Sequence, residues 1–176
     1  FLAALWQMTY PGVPSIYYGD EIGMQGFKDP YNRRPYRWKD GDTYIRGYVK
    51  KLIALRNEHA ALWTGEILPL MADGDVLCYA RFIRGGKDVF GEKAEDEAFL
   101  IAINRSRTDQ KTITLEVGGF AEGELVDCLD EGKSYGVRNG FVTFQLAPLK
   151  GVLLRQKKQG GTYPRAAGIL LHPTSL

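Results

Sequence analysis

The sequence is short of the residues that build disulfide-linked, zinc-bound or membrane-embedded folds. Its two cysteines, Cys78 and Cys128, form no CxxC pair, so neither a zinc site nor a disulfide scaffold is indicated. We expect both to be buried free thiols, as cytosolic proteins usually carry, and we predict a cytoplasmic location. No apolar run approaches the about 20 residues of a membrane helix, so no membrane partner is expected.

An excess of charge of one sign is also missing. The chain has 23 basic and 21 acidic residues, a net charge of +2. A surface that binds nucleic acid needs a clear excess of positive charge, so no nucleic-acid partner is expected. The sequence contains no glycine-rich phosphate loop, no cluster of metal ligands and no Ser-His-Asp arrangement, and we predict neither a cofactor nor a metal. The sequence leaves the oligomeric state open.

The composition of the chain differs between its first third and the rest. Residues 1–63 hold all three tryptophans and more than half of the aromatic side chains, whereas residues 64–156 are rich in alternating and β-branched apolar residues. The length allows one domain or two small ones. Because the chain opens on Phe1 inside an apolar segment and closes on a short strand-like run, we expect an internal piece of a longer polypeptide.

The first stretch has the order helix, strand, loop, helix. An apolar helix is predicted over residues 1–9, and the apolar run 13–18 is typical of a strand buried on both faces. Residues 20–42 show no periodicity, and a loop of that length is usually functional. An amphipathic helix is predicted to start at Asp42. This order is the repeating unit of parallel α/β folds, whose active groups lie at the carboxyl ends of the strands.

The second stretch has the period of β-strands. In residues 111–117 the apolar side chains Ile113 and Leu115 face one way and the polar ones face the other, and residues 141–146 alternate similarly. Turn dipeptides such as Asp-Gly and Asn-Gly separate these runs, so an antiparallel β-sandwich is predicted. The predicted strands are 65–70, 75–83, 98–104, 111–117, 124–129, 135–138, 141–146 and 151–155. The fold class is therefore α/β plus all-β.

Three motifs resemble the α-amylase family of glycoside hydrolases, in particular its neopullulanase, cyclomaltodextrinase and maltogenic-amylase branch. They are Pro11-Gly-Val-Pro-Ser-Ile-Tyr-Tyr-Gly-Asp-Glu-Ile-Gly-Met24, Asp29-Pro-Tyr-Asn-Arg-Arg-Pro-Tyr-Arg-Trp38 and Leu52-Ile-Ala-Leu-Arg-Asn-Glu-His-Ala-Ala-Leu62. The resemblance implies that residues 1–62 are the C-terminal end of a (β/α)8 barrel, with its last strand and flanking helices. Residues 63–156 would be the C-terminal antiparallel β-sandwich.

The resemblance implies retaining hydrolysis of α-1,4-glucans such as starch, maltodextrin or cyclodextrin. That mechanism needs two carboxyl groups about 5–5.5 Å apart. The family's catalytic carboxylates belong to earlier barrel strands and would precede Phe1, so no catalytic residue is assigned and the chain alone is expected to be inactive. Asp20 and Glu21 point to opposite sides of an extended backbone and cannot flank one bond. One of them is expected to accept backbone or arginine hydrogen bonds.

Asp29 and Arg33 are the candidate substrate-binding residues. They lie four apart in the long loop, and a carboxylate beside a guanidinium offers both acceptors and donors to sugar hydroxyls. The resemblance implies contact with the glucose units of an α-glucan oligosaccharide on the non-reducing side of the cleavage point. The alternative is a salt bridge that fixes the loop. Arg34 and Trp38 are assigned to packing and loop anchoring.

Four other aromatic or histidine side chains receive structural roles. Tyr17 and Tyr18 could stack on sugars, but their place in an apolar run favours core packing. His59 has no His or Cys at ligand spacing, so a surface or capping role is predicted. Trp63 is expected to fill the junction between barrel and sandwich.

The end of the chain does not continue the sandwich. Residues 157–164 are predicted to be a polar linker. The segment after it, Arg165-Ala-Ala-Gly-Ile-Leu-Leu-His-Pro-Thr-Ser-Leu176, resembles the start of a 4-α-glucanotransferase (amylomaltase). The likeness implies that residues 165–176 begin a second α/β domain and that the parent protein is a fusion of hydrolase and transferase. The alternative is an ordinary terminal strand with His172 facing solvent.

Two other classes of function stay open at this point. A non-catalytic carbohydrate-binding or interaction β-sandwich is one, and an amylase-like protein that has lost catalysis is the other. Against the first, no predicted strand shows an exposed row of aromatics, because Phe82, Phe99 and Phe144 fit inward positions. The sequence upstream of Phe1 would separate all three classes, since only the enzyme needs the catalytic carboxylates there.

Overall fold

The computed structural model describes residues 1–157, which form three layers. Helices from the start of the chain cover one face of a six-stranded antiparallel sheet, and a two-stranded sheet covers the other face. The predicted linker beyond Lys157 and the predicted segment 165–176 lie outside the described residues.

Helices and short turns occupy the first third of the chain. The α-helices are Leu2–Thr9 (α1), Thr43–Glu58 (α2) and Ala60–Trp63 (α3), and single 3-10 turns lie at Asp20–Ile22 and Tyr31–Arg33. The predicted start of α2 is confirmed, because the Asp42 carboxylate accepts hydrogen bonds from the N–H groups of Tyr44 and Ile45 at 2.8 and 3.0 Å. This cap satisfies two backbone donors that the helix leaves unpaired. Within the described part of the chain, no helix is both long enough and apolar enough to cross a membrane.

Residues 13–18 do not form the predicted strand. The segment pairs with no strand among residues 1–157, Val13 is 97% exposed, and Tyr17 and Tyr18 are exposed as well. A segment without a neighbouring strand has nothing to complete a backbone ladder. Tyr17 and Tyr18 are therefore not packed in a core within residues 1–157.

All eight predicted strands are present close to their predicted bounds. They are Glu66–Asp73 (β1), Val76–Ile83 (β2), Glu97–Asn104 (β3), Lys111–Glu116 (β4), Glu124–Asp127 (β5), Ser134–Gly136 (β6), Phe141–Leu146 (β7) and Lys150–Gln156 (β8). Every pairing among them is antiparallel, in the order β1-β2-β3-β8-β5-β6 in the larger sheet and β4-β7 in the smaller. The predicted antiparallel sandwich is confirmed.

The two edges of the larger sheet are irregular or short. Strand β1 forms one edge and contains Pro69, and its register with β2 shifts between Pro69 and Met71. Such a shift is a β-bulge, and proline has no N–H to donate to a neighbouring strand. Strand β6 forms the other edge and is only three residues long.

The larger sheet is buried on both faces because a different layer covers each. Towards the smaller sheet, Leu100 packs with Ile113 and other side chains of β4 and β7. Towards the helices, Phe99 packs with Leu5 and Leu52. This explains why β2 and β3 are buried at nearly every position, whereas β4 and β7 alternate between buried and exposed residues.

His59 and Trp63 lie where the helices meet the sheet. Of the two roles predicted for His59, the surface role is wrong, because the ring is buried and its Nδ1 lies 2.9 Å from Oε2 of Glu97 on β3. The capping role is confirmed, since His59 is the C-cap of α2 and the N-cap of α3. The other oxygen of Glu97 accepts the N–H of Ala61 at 2.9 Å. Trp63 is half exposed and donates its indole N–H to the carbonyl of Arg56, so it lies at the margin of the junction rather than filling it.

Both cysteines are free thiols. Cys78 is buried between the two sheets, as predicted, and Cys128 is only partly buried beside the helices. Burial raises the pKa of each thiol to about 12. Neither thiol is therefore ionised near neutral pH, and a structural role fits both.

Candidate functional site

The loop between α1 and α2 carries the predicted substrate-binding pair. Arg33 Nε lies 2.8 Å from Asp29 Oδ1. The 3-10 turn between them makes this contact possible, because the N–H groups of Tyr31 and Arg33 donate to the carbonyls of Lys28 and Pro30. Both side chains are mostly exposed, Arg33 at 73% and Asp29 at 63%. The loop thus presents a carboxylate and a guanidinium side by side to solvent.

Two adjacent tyrosines fix the backbone on either side of Arg33. The hydroxyl of Tyr17 donates to the carbonyl of Asn32 at 3.3 Å, and that of Tyr18 donates to the carbonyl of Arg34 at 2.9 Å. Their ring centroids lie 4.9 Å apart. The exposed tyrosines that were expected in the core therefore support the loop instead.

Glu21 closes the turn that begins the loop. Its two carboxylate oxygens accept the N–H of Gly19 and the hydroxyl of Tyr36, both at 2.8 Å, which confirms the expected acceptor role for one of the two acidic residues. Burial raises the pKa of Glu21, but these hydrogen bonds outweigh it and the pKa lies below its ordinary value. Gly19 has φ +97°, and a Cβ there would lie 2.7 Å from the sulfur of Met24, so the turn requires glycine.

A cleft of about 390 Å³ separates the loop from α2. Its apolar side is formed by Ile16, Val49 and Ile53, and its polar side by Glu21, Tyr36 and Arg46. Tyr36 and Arg46 were not predicted as site residues from the sequence. The sequence pattern that could have indicated them is the mixture of aromatic and basic residues over 33–38, followed by Arg46 one turn into α2. Asp29 and Arg33 lie outside the lining of this cleft.

Arg34 and Trp38 differ in how well they are fixed. Arg34 is anchored through its carbonyl, and its guanidinium lies 5.9 Å from the centre of the Tyr31 ring, as expected for an anchoring residue. Trp38 is 83% exposed and contacts the ring of Tyr36 at a centroid distance of 4.7 Å. The packing role predicted for Trp38 is therefore wrong.

The loop suits an uncharged, hydroxyl-rich ligand. It combines an exposed carboxylate, an exposed guanidinium and the exposed aromatic rings of Phe27, Tyr31 and Trp38. Hydroxyl groups both donate and accept hydrogen bonds, and the ring faces offer flat apolar contact. Among residues 1–157, no group of three or more His, Cys, Asp or Glu side chains is placed to hold a metal ion.

Similarity to known proteins identifies the family. No protein-family profile matches the chain. The chain is 40% identical over 155 residues to an amylopullulanase of Thermoanaerobacter thermohydrosulfuricus, which covers 87% of this chain and 10% of that protein. It is 36% identical over 155 residues to neopullulanase 2 of Thermoactinomyces vulgaris, covering 87% of this chain and 25% of that protein. The chain is a segment of a protein of the α-amylase family of glycoside hydrolases.

The three-layer fold of this α-amylase-family segment also occurs in a solved structure. The α-amylase of Geobacillus thermoleovorans, crystallised with acarbose, matches it with a TM-score of 0.74 and 26% identity, over 90% of this chain and 33% of that one. The segment spans about a tenth of the amylopullulanase and a quarter of the neopullulanase.

Proposed function

We propose that the protein containing this α-amylase-family segment hydrolyses α-1,4-glucans with retention of configuration. Starch, maltodextrin and cyclodextrin are the candidate substrates. The observation that carries the proposal is the sequence similarity to an amylopullulanase and a neopullulanase, which are 40% and 36% identical to this chain in alignments that cover 87% of it. The exposed loop adds support, since its chemistry suits sugar hydroxyls.

We propose that residues 1–62 end a (β/α)8 barrel, with residues 13–18 as its last strand, and that residues 63–156 are the sandwich that follows it. The support is the apolar character of residues 13–18, which lie between two helices and leave Val13 almost fully exposed. A strand of a parallel sheet needs neighbours on both sides and cover on both faces. The rest of a barrel would supply them.

The catalytic carboxylates belong, in this proposal, to the part of the barrel outside this chain. A retaining mechanism needs two carboxyl groups about 5–5.5 Å apart and free to reach the sugar. Glu21 does not fit that role, because Gly19 and Tyr36 occupy both of its oxygens. The segment supplies groups that bind the substrate but no acid and no nucleophile.

Asp29 and Arg33 are proposed to bind the glucose units on the non-reducing side of the cleavage point. An ion pair as exposed as theirs contributes only about 0–1 kcal/mol to folding. A hydrogen bond that involves a charged group is worth about 1.5–3 kcal/mol, so a bound sugar would gain more from the pair than the fold does. This difference favours sugar contact over a loop-fixing salt bridge.

Kinetics of the full-length protein test this pair. We expect Asp29→Ala and Arg33→Ala to raise KM and to lower kcat/KM by about ten- to a thousandfold, through lost charged hydrogen bonds and lost positioning. The melting temperature should hardly change. Arg37→Ala is the matched control, because Arg37 forms another exposed ion pair in the same loop, 3.5 Å from Asp40. Unaltered kinetics, or activity losses that parallel stability losses, would identify a structural salt bridge.

We also propose that a 4-α-glucanotransferase domain follows the linker in a cytoplasmic fusion protein. The support is the resemblance carried by residues 165–176 and, for the location, the two free thiols. The gene beyond Leu176 is expected to encode several hundred further residues of α/β pattern. A stop codon at that point contradicts the proposal.

A carbohydrate-binding sandwich without catalysis has little support among the described residues. The outward side chains of the smaller sheet include Thr114, Thr143 and Gln145, which hydrogen-bond to one another or to a neighbouring glutamine. Phe141 is the only exposed aromatic residue of β4 and β7, since the other one, Phe144, is buried. Sugar-binding sheets need a flat aromatic platform, which this face does not provide.

A further inference from the structure

Two arginines are buried where the helices meet the six-stranded sheet. Arg81 lies on the helix-facing side of β2 and has no exposed surface, and Arg56, in the last turn of α2, is also buried. Burying a guanidinium is costly unless hydrogen bonds replace its hydration. For both side chains, those hydrogen bonds go to backbone carbonyls.

Arg81 binds the C-terminal ends of two helices at once. Its Nη1 donates to the carbonyl of Thr9, the last residue of α1, at 2.7 Å, and to that of Leu62 in α3 at 3.2 Å. Its Nη2 donates to the carbonyls of Trp63 at 3.2 Å and Gly65 at 3.1 Å. The last carbonyls of a helix have no partner within it and carry the negative end of the helix dipole, so a buried cation is stabilised there.

Arg56 binds the chain as it leaves α1. Its Nη1 donates to the carbonyls of Met8 and Tyr10 at 2.8 and 3.2 Å, and its Nη2 to that of Gly12 at 2.6 Å. Arg81 therefore holds the last turn of α1, and Arg56 holds the turn that follows it.

These carbonyls are the principal partners of both arginines. Neither side chain forms an ion pair with a carboxylate within residues 1–157. Burial, and next the charge of Arg56, lowers the pKa of Arg81 to about 10, so Arg81 stays charged at neutral pH. Because the two cations depend on main-chain carbonyls, they also fix where those carbonyls lie.

Further contacts run from this cluster to the binding loop. Gln7 in α1 donates to the carbonyl of Ser15 at 2.5 Å, which ties residues 13–18 to the helix. Tyr17 and Tyr18, at the end of that segment, hold the loop backbone on both sides of Arg33. A continuous set of hydrogen bonds and covalent chain thus leads from β2 to the loop.

We propose that Arg81 is a positioning residue for the loop that carries Asp29 and Arg33, acting through the end of α1, Arg56 and residues 13–18. Its bearing on sugar binding rests on the proposed function, whereas its effect on loop order does not. A side chain of the sandwich thereby sets the geometry of a loop in the other region of the molecule.

Amide hydrogen exchange of the 176-residue chain tests the effect on loop order. Arg81→Lys keeps the charge but replaces a planar fork, which reaches four carbonyls, with one nitrogen. We expect exchange over residues 13–34 to accelerate by about tenfold or more. The matched control is Asn104→Leu, since buried Asn104 donates to the carbonyls of Asp109, Leu146 and Ala147, away from the helices.

Amide exchange of each variant is measured at the same number of degrees below its own melting temperature. Exchange over residues 13–34 that is as fast in Asn104→Leu as in Arg81→Lys overturns the proposal. If Arg81→Lys does not fold, Arg56→Lys takes its place, because it weakens the hydrogen bonds to the carbonyls at the end of α1 and in the turn after it. Unchanged exchange in that variant equally overturns the proposal.

Kinetics of the full-length protein give a second readout. Arg81→Lys is expected to raise KM by about three- to tenfold with kcat nearly unchanged, because a displaced binding loop weakens the ground state and transition state alike. Asn104→Leu should leave KM unchanged. A wild-type protein inactive on α-glucans contradicts the proposed function, and the exchange experiment then decides the role of Arg81 alone. An active protein whose KM does not respond to Arg81→Lys overturns the positioning of the sugar-binding loop.

Discussion

The helical region and the sandwich bury their apolar side chains to very different extents. In the sandwich, β2 and β3 are buried at almost every position. In the helical region, Val13, Phe27 and Trp38 are 97%, 78% and 83% exposed, although this region holds all three tryptophans. Aromatic content alone is therefore a poor guide to where the core lies.

The difference follows from how each region completes its layers. Every strand of the sandwich has an antiparallel partner, and the larger sheet has cover on both faces. Residues 13–18 pair with no strand among residues 1–157, and most of their side chains are exposed, although Ile16 is partly buried against the core between helices and sheet. A layer that lacks its neighbours leaves apolar side chains exposed, whatever their hydrophobicity. The exposed loop is consequently free to carry binding groups.

The largest effect is expected when one apolar side chain is removed from each region. We expect Leu100→Ala, in the centre of the sandwich, to lower the free energy of unfolding by about 2–5 kcal/mol, because it leaves a cavity. Phe27→Ala, in the loop, should change it by less than about 0.5 kcal/mol. Denaturant unfolding measures both. Equal losses for the two variants would show that the loop is part of the core.

A smaller effect is expected where the two regions meet. Burial raises the pKa of Glu97, but the hydrogen bonds from His59 and the Ala61 N–H outweigh it, so the pKa lies below its ordinary value of 4.5. The ionised carboxylate therefore stabilises the fold above about pH 4.5, and this contribution is lost as the pH falls through the lower folded pKa. Glu97→Gln should cost about 1–3 kcal/mol at pH 7 and progressively less below pH 4.5.

Unfolding curves at several pH values check the Glu97 variant. Glu116→Gln, on the exposed face of β4, is its control and should change the free energy of unfolding by less than about 0.5 kcal/mol. A cost that stays the same from pH 7 to pH 3 would contradict a stabilising charge at Glu97.

The smallest effect is expected within the helical region. Asp42→Ala removes the acceptor for two N–H groups at the start of α2 and should cost about 1 kcal/mol. Amide exchange at Tyr44 and Ile45 should accelerate, while the sandwich strands keep their protection. Asp42→Asn retains an acceptor oxygen and should cost only a few tenths of a kcal/mol. Asparagine as damaging as alanine at this position would argue against the cap.

The sandwich was predictable because each strand carries a local signal. Alternation over residues 111–117 reports a strand with one buried face, and β4 has that pattern in the structure. The Asp42 cap was equally local. The strand predicted over residues 13–18 does not form within residues 1–157. An apolar run indicates a tendency to be buried, but burial itself depends on neighbouring elements.

Contacts between distant residues explain the remaining failures. His59 and Glu97 lie 38 residues apart, and nothing near either predicts their pairing. Asp29 and Arg33 were brought together correctly, because a spacing of four is a local property, although contact between them does not test sugar binding. Arg81 did leave a signal, since it is a charged residue at an inward position between Tyr79 and Ile83 of an apolar strand.

The irregular edges of the larger sheet bear on how the protein behaves at high concentration. A long, regular edge strand can recruit another chain, because its free N–H and C=O groups form a template for one more strand. Here Pro69 and the bulge interrupt that template on β1, and β6 is only three residues long. Growth by strand addition is thus disfavoured at both edges of the six-stranded sheet.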